Sequence, residues 1–217
     1  MVGAARFELA TPCTPCRCAT GLRHIPNFVA KIPRSHPKGK SSLPRLRTRT
    51  GKYSHLSHRF RREKVNGQGA SVNTVECVYT GEVASGYQNR SDVQTNYSFN
   101  TEHTFPQGTF NQNEPMRSDL FHLFPTRMYA NSERGNKPFG NVSNPSWQVG
   151  GSKSSSSTFE PRDEQKGPTA RAMLYFLVRY QNYQNYVNAG QNQVLRNWTR
   201  DYLPGQAEET RNDDIEQ

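Results

Sequence analysis

Long apolar runs are missing from this 217-residue chain. Hydrophobic residues make up only 32% of it, and the mean hydropathy is −0.93. No stretch approaches the ~18 consecutive apolar residues that a membrane-spanning helix requires. The opening carries Arg6, Glu8, Arg17 and Arg23 with no continuous apolar centre, which argues against a secretory signal there. Cysteine is scarce too. Cys13, Cys16 and Cys18 lie in "TPCTPCRC" and Cys77 stands alone in "VECVYTG". A tetrahedral zinc knuckle would need a fourth ligand, and His24 is the only nearby one, so neither zinc nor a disulfide framework is expected. Cys77, flanked by Val75, Val78 and Tyr79, reads as a buried strand thiol.

Acidic residues are nearly absent from the N-terminal part, and this decides how the net charge of +10 is read. Residues 1–65 hold 15 Lys and Arg against two Glu, while the rest of the chain holds 13 against 16 acids. The basicity therefore belongs to a tail rich in Pro, Ser, Arg and Lys that shows no helical or strand period. Three readings fit that tail: plain disorder, a basic arm that holds polyanions, or an artefactual start. The opening "GAARFELATPCTPCRCATGLRHIPN" resembles stretches found at the starts of unrelated reading frames, as though a structural RNA gene had been translated. Residues 90–200 are mildly basic, with 12 bases to 8 acids, and 201–217 are acidic, with 1 to 6. That is a modest pointer to an anionic ligand.

From Gly67 onward the texture is that of a folded domain, expected over 66–217. "SVNTVECVYTGEV" alternates around β-branched residues and predicts a strand ending in a Thr-Gly turn. "NYSFNTEHTF" predicts a second strand closed by Pro106. Ser118-Asp119 suits the start of a short helix through "DLFHLF" that Pro125 limits. "NSERGNKPFGNVSNPS" and "GGSKSSSST" read as loop and exposed connector. Pro168 suits the first turn of a helix whose apolar face holds Ala170, Met173, Leu174, Leu177, Val178 and Tyr180. A last helix around "NQVLRNWTRDYL" would bury Val194, Leu195, Trp198 and Leu203. The expected class is α+β, with strands first and a mostly helical C-terminal part.

Only two histidines lie beyond the tail, His103 directly after Glu102, and His122 within "LFHLF". A carboxylate and one imidazole, completed by water and phosphate oxygens, suit a hard divalent cation. Adjacent strand residues face opposite ways, but at a strand end Glu102 and His103 can approach one site from different sides. Glu102 and His122 would then be the ligands, leaving His103 free to take a proton from water. The bland alternative stays open: a histidine in an apolar run serves equally well as a hydrogen-bonded core residue.

"VECVYTG", "NTEHTFPQ", "PMRSDLFHLFPT", "NSERGNKPFG" and "FEPRDEQKGPTARAMLYFLVRY" resemble, in order and wording, motifs of the endonuclease I family over about residues 70 to 215. These are bacterial, mostly secreted nucleases with a His-Me finger (ββα-metal) core. The resemblance implies a metal-dependent endonuclease that cuts DNA, and often RNA, with little sequence preference. It would use one Mg2+ ion, with Mn2+ or Ca2+ as substitutes. His103 would be the general base, with Glu102 and His122 the metal ligands. Arg134 and Asn136 would either contact phosphate or hold the finger together, with the structural role favoured. It further implies a nucleic-acid substrate, no membrane partner, a monomer, and an extracellular or periplasmic place of action. Phe105, Gly108 and Phe121 depart from residues common in relatives, and "AEETRNDDIEQ" resembles a segment that precedes a closing motif, so a C-terminally truncated domain is expected. A catalytically inactive nucleic-acid-binding fragment is the alternative.

Overall fold

The computed structural model describes residues 61–64 and 71–216, all within one compact unit, Arg47–Gln217. The N-terminal cysteines, His24 and the expected disorder of the tail lie outside the described residues. Among the described residues, three small antiparallel sheets and five α-helices make an α+β arrangement. The first sheet orders β1 (Arg61–Lys64), β2 (Ser71–Glu76) and β3 (Val83–Ser85). Two differences from the sequence reading appear here. Arg61–Lys64, placed in the tail, is a strand on β2, and the strand within "SVNTVECVYTGEV" stops at Glu76, ahead of the Thr-Gly turn, with β3 beginning at the segment's last residue, Val83. The fold-back runs through Gly81, whose positive φ of 74° disfavours any residue with a Cβ.

Helix α1 (Arg90–Tyr97), not expected from sequence, starts where the Asn89 side chain accepts from the Asp92 amide. It stops where Ser98 turns left-handed, at φ 52°. Strand β4 (Phe99–His103) follows at once and pairs with β5 (Leu123–Arg127), with Glu102 opposite Phe124 and His103 opposite Leu123. The expected "DLFHLF" helix is only a 3-10 turn, Leu120–His122, capped by Asp119, because the chain must extend to reach the β4 ladder. Helix α2 (Met128–Arg134) then packs against the β4–β5 hairpin and absorbs part of the segment read as loop.

The third sheet joins β6 (Trp147–Val149), β7 (Ser152–Ser154) and β8 (Phe159–Glu160). Its middle strand is the supposed exposed connector, yet Ser152 and Ser154 are fully buried. Small hydroxyls allow it: Ser152 Oγ donates to the Tyr79 carbonyl at 2.6 Å and accepts from the Arg162 amide at 2.9 Å, so no polar group is stranded.

Helix α3 (Asp163–Arg179) begins a full turn before Pro168, which sits inside it rather than in its first turn. Lys166 supports the added turn, reaching Glu160 and Asp163 at 2.7 Å each. Ala170 and Met173 are core as expected, but Val178 is 50% exposed. Helix α4 (Ala189–Asp201) lies along α3 and buries Leu195 and Trp198, while Leu203 falls past its end and is exposed. Gly167 permits the close approach, since a Cβ there would meet the Tyr202 carbonyl oxygen at 2.3 Å. A fifth helix, α5 (Gln206–Glu216), occupies the acidic end.

Candidate active site

The site forms where β4 ends. Glu102 and His103 are both buried there, at 1% and 7% exposure, although strand alternation separates their side chains. Glu102 meets Tyr79 and Arg134: its Oε1 accepts from the Tyr79 hydroxyl at 2.8 Å and lies 3.3 Å from the Arg134 guanidinium. Burial pushes the Glu102 carboxyl up, and the Arg134 charge and Tyr79 hydroxyl pull it back. Tyr79 is held in turn by its backbone, through Ser152, and by the neighbouring Thr80, on which Gly150 sits so closely that a Cβ would lie 2.0 Å from the Thr80 carbonyl oxygen.

Arg134 closes α2 onto the strand end. It is 2% exposed, and its guanidinium donates to the carbonyls of His103 (3.4 Å), Thr104 (2.6 Å) and Gly135 (2.9 Å) while lying 4.5 Å over the Phe139 ring. A guanidinium that meets three carbonyls and one carboxylate ties α2 to the end of β4. Asn136 is exposed, one residue beyond the Gly135 turn. One turn earlier on α2, Asn131 Nδ2 donates to Asn100 Oδ1 at 2.8 Å and to the Thr101 carbonyl at 3.3 Å. Asn100 and Glu102 share a face of β4, so Asn131 and Glu102 line one seam between α2 and the strand.

The histidines lie together. Their rings meet edge to face, 5.6 Å between centroids and 65° between planes. His103 Nε2 is 3.1 Å from the Arg117 carbonyl, and His122 Nε2 is 2.7 Å from the Met116 carbonyl. A carbonyl oxygen can only accept, so in each ring Nε2 carries the hydrogen and Nδ1 keeps the lone pair. Burial lowers the His103 pKa to about 4, helped by the neighbouring His122, and burial likewise brings His122 to about 4. Both imidazoles are therefore neutral at pH 7. His122 is fully buried, with Phe176 and Phe110 against it, and its Nδ1 has no hydrogen-bond partner.

The turn carrying His122 is anchored from two sides. Asp119 Oδ1 accepts from the Phe121 amide at 3.1 Å, and Oδ2 accepts from the Tyr180 and Tyr175 hydroxyls at 2.8 and 3.1 Å. Arg211 of α5 donates to the carbonyls of Leu120 and Leu123, the latter at 3.0 Å, and lies over the Phe124 ring. The sequence reading missed Tyr79, Asp119, Asn131 and Arg211. Only Asp119 had left a signal, as a capping residue.

A profile of the Endonuclease I family matches residues 52–217. The chain belongs to the Endonuclease I family. This member is 29% identical over 166 residues to an extracellular ribonuclease of Bacillus amyloliquefaciens, covering 76% of this chain and 56% of that protein. It is 31% identical over 132 residues to an extracellular ribonuclease of Bacillus subtilis (strain 168), covering 60% of this chain and 45% of that protein. The chain thus spans about half the length of the curated relatives it matches.

The site of this family member brings His103 and His122 together but keeps Glu102 out of that group. Among the described residues, no three His, Cys, Asp or Glu side chains converge to hold a metal ion. Glu102 and His122, expected as a ligand pair, have separate partners. The donors that fit a hard divalent cation are oxygens, and the α2–β4 seam offers the Glu102 carboxylate and the Asn131 amide oxygen. His122 is the fully buried ring beside His103.

Proposed function

We propose that the chain is a metal-dependent endonuclease that hydrolyses phosphodiester bonds of nucleic acid outside the cell, with His103 as the proton acceptor. The observation that carries this reading is the fixed, neutral tautomer of His103. The Arg117 carbonyl occupies Nε2–H, so the lone pair on Nδ1 is available at the end of β4. The hairpin β4–β5 followed by α2, with the histidine at the first strand's end, matches the ββα order of a His-Me finger.

In this mechanism His103 Nδ1 takes a proton from a water molecule as its oxygen attacks phosphorus. The P–O bond to the leaving oxygen breaks, that oxygen takes a proton from solvent, and the imidazolium returns its own proton to bulk. Burial at 7% exposure disfavours the imidazolium and so speeds that return. Glu102 and Asn131 would hold a magnesium ion, which when bound supplies neutralisation of the charge developing on phosphate and leaving oxygen. Arg134 opposes the upward push of burial on the Glu102 carboxyl and keeps the strand end in place. The relatives' description as extracellular ribonucleases supports RNA as a substrate beside DNA and supports action outside the cell. Binding would rest on phosphate contacts and weaken with salt.

The test is cleavage of plasmid DNA and of RNA with and without chelator, beside His103→Ala. Magnesium-dependent cutting lost in His103→Ala is the expected result. Cutting that survives the substitution, or that ignores chelator, defeats the mechanism. Binding without any cleavage favours the inactive nucleic-acid-binding alternative.

A further inference from the structure

Between Arg179 and Arg196 the chain carries no charged residue and no histidine, and it contains the tandem "QNYQNY" of residues 181–186. These six residues form a 3-10 helix, Gln181–Tyr186. With about three residues per turn, positions three apart superimpose. The repeat therefore stacks Tyr183 over Tyr186, Asn182 over Asn185 and Gln181 over Gln184. The tyrosine column faces Phe105, two residues beyond His103: the Tyr186 ring lies 4.6 Å from it and the Tyr183 ring 5.9 Å. Phe105 is itself fully buried and stacked on Phe176 at 4.0 Å and 8°, so the column rests on a rigid aromatic floor. Tyr186 stays 37% exposed, and all four amide side chains are exposed. Burial raises the Tyr186 phenol and the Arg134 charge offsets part of that rise.

An exposed surface beside a phosphodiester site that lacks charge is poorly suited to phosphate. Aromatic faces and amides are the groups that stack on bases and hydrogen-bond their edges. In a duplex the base faces are hidden by their neighbours, whereas an unpaired strand can splay them out. We propose that Gln181–Tyr186 is a base-stacking platform for an unpaired nucleotide strand, with Tyr186 as the stacking ring. This rests on the nuclease reading and adds a preference for single-stranded substrate.

The experiment compares kcat/KM of the full chain on a single-stranded oligonucleotide and on its duplex, for the native protein, Tyr186→Leu and Tyr186→Phe. Leucine keeps apolar contact with Phe105 but offers no aromatic face, whereas phenylalanine keeps the face and drops the hydroxyl. Tyr186→Leu is expected to lower the single-to-double-strand ratio by about tenfold, through KM rather than kcat, with Tyr186→Phe close to native. Equal losses on both substrates would mean a structural role, and an unchanged ratio would mean no role; either overturns the platform. Anisotropy with the same single strand in the His103→Ala background separates the two readings. Tyr186-dependent binding, with no cutting by the native chain either, keeps the platform and removes the nuclease, while cutting by the native chain with a Tyr186-independent ratio does the reverse.

Discussion

His103 and His122 are neutral because burial opposes the imidazolium in each, and this ties stability to acidity. In the unfolded chain a histidine binds its proton near pH 6.5; in the fold each waits until about pH 4. Between those values the unfolded state holds more protons, so stability falls as pH drops from 6.5 towards 4 and levels off below. Each ring contributes on the order of 3 kcal/mol to that decline. Melting temperatures across pH 4 to 8 should show it, with His122→Asn flattening the slope. No change of slope would mean that the ring takes up its proton within the fold. For catalysis, His103→Ala should cost about 10^2–10^4 in kcat. Asn131→Ala should weaken magnesium dependence, raising the ion concentration for half activity, while Asn131→Asp should retain it. Equal magnesium curves for both variants would remove Asn131 from the metal site.

The elements are joined by buried polar groups that belong to different segments. Asp119 ties the end of α3 to the His122 turn through Tyr175 and Tyr180. Replacing it by alanine strands two tyrosine hydroxyls and the Phe121 amide, and the expected loss is about 2–4 kcal/mol in denaturant unfolding. A loss below ~1 kcal/mol would show that water substitutes for the carboxylate. The turn between β6 and β7 supports the other side of the site. Gly150 has φ +56°, and its Cβ position is occupied by the Thr80 carbonyl, so Gly150→Ala carries both strain and a clash. It should destabilise by more than ~1 kcal/mol and lower activity, because the displaced residue adjoins Tyr79. A melting temperature equal to the parent's would show that the turn shifts freely.

Across the whole molecule, ordering runs from the acidic end back to the site. Arg171 of α3 grips Glu208 of α5 through two hydrogen bonds of 2.7 and 2.5 Å, and Arg211 from the same helix holds both ends of the His122 turn. Helix α5 is rich in charged and polar residues, and these charge-assisted contacts of the buried Arg171 and Arg211 help dock it. Arg211→Ala should lower kcat on every substrate while leaving the single-to-double-strand ratio unchanged, which distinguishes it from Tyr186. A changed ratio would place α5 at the substrate instead.

Much of the local structure was legible in the chain. The β-branched run of β2, the strand before Pro106 and the amphipathic helices of the C-terminal part follow from side-chain periodicity. The five ordered motifs carried the family. Periodicity failed where partners from afar replaced local preference: serines rather than apolar residues fill the middle of the third sheet, and Lys166 starts α3 ahead of its proline. The surroundings of the two histidines required the tertiary structure. Sequence placed Glu102 beside His103 and left His122 either ligand or core. Which side chains share a face, which carbonyl fixes each tautomer, and that Arg134 and Tyr79 enclose Glu102 depend on contacts spanning tens of residues. No spacing rule along a chain encodes such contacts, because burial and hydrogen-bond satisfaction are settled only when the segments meet.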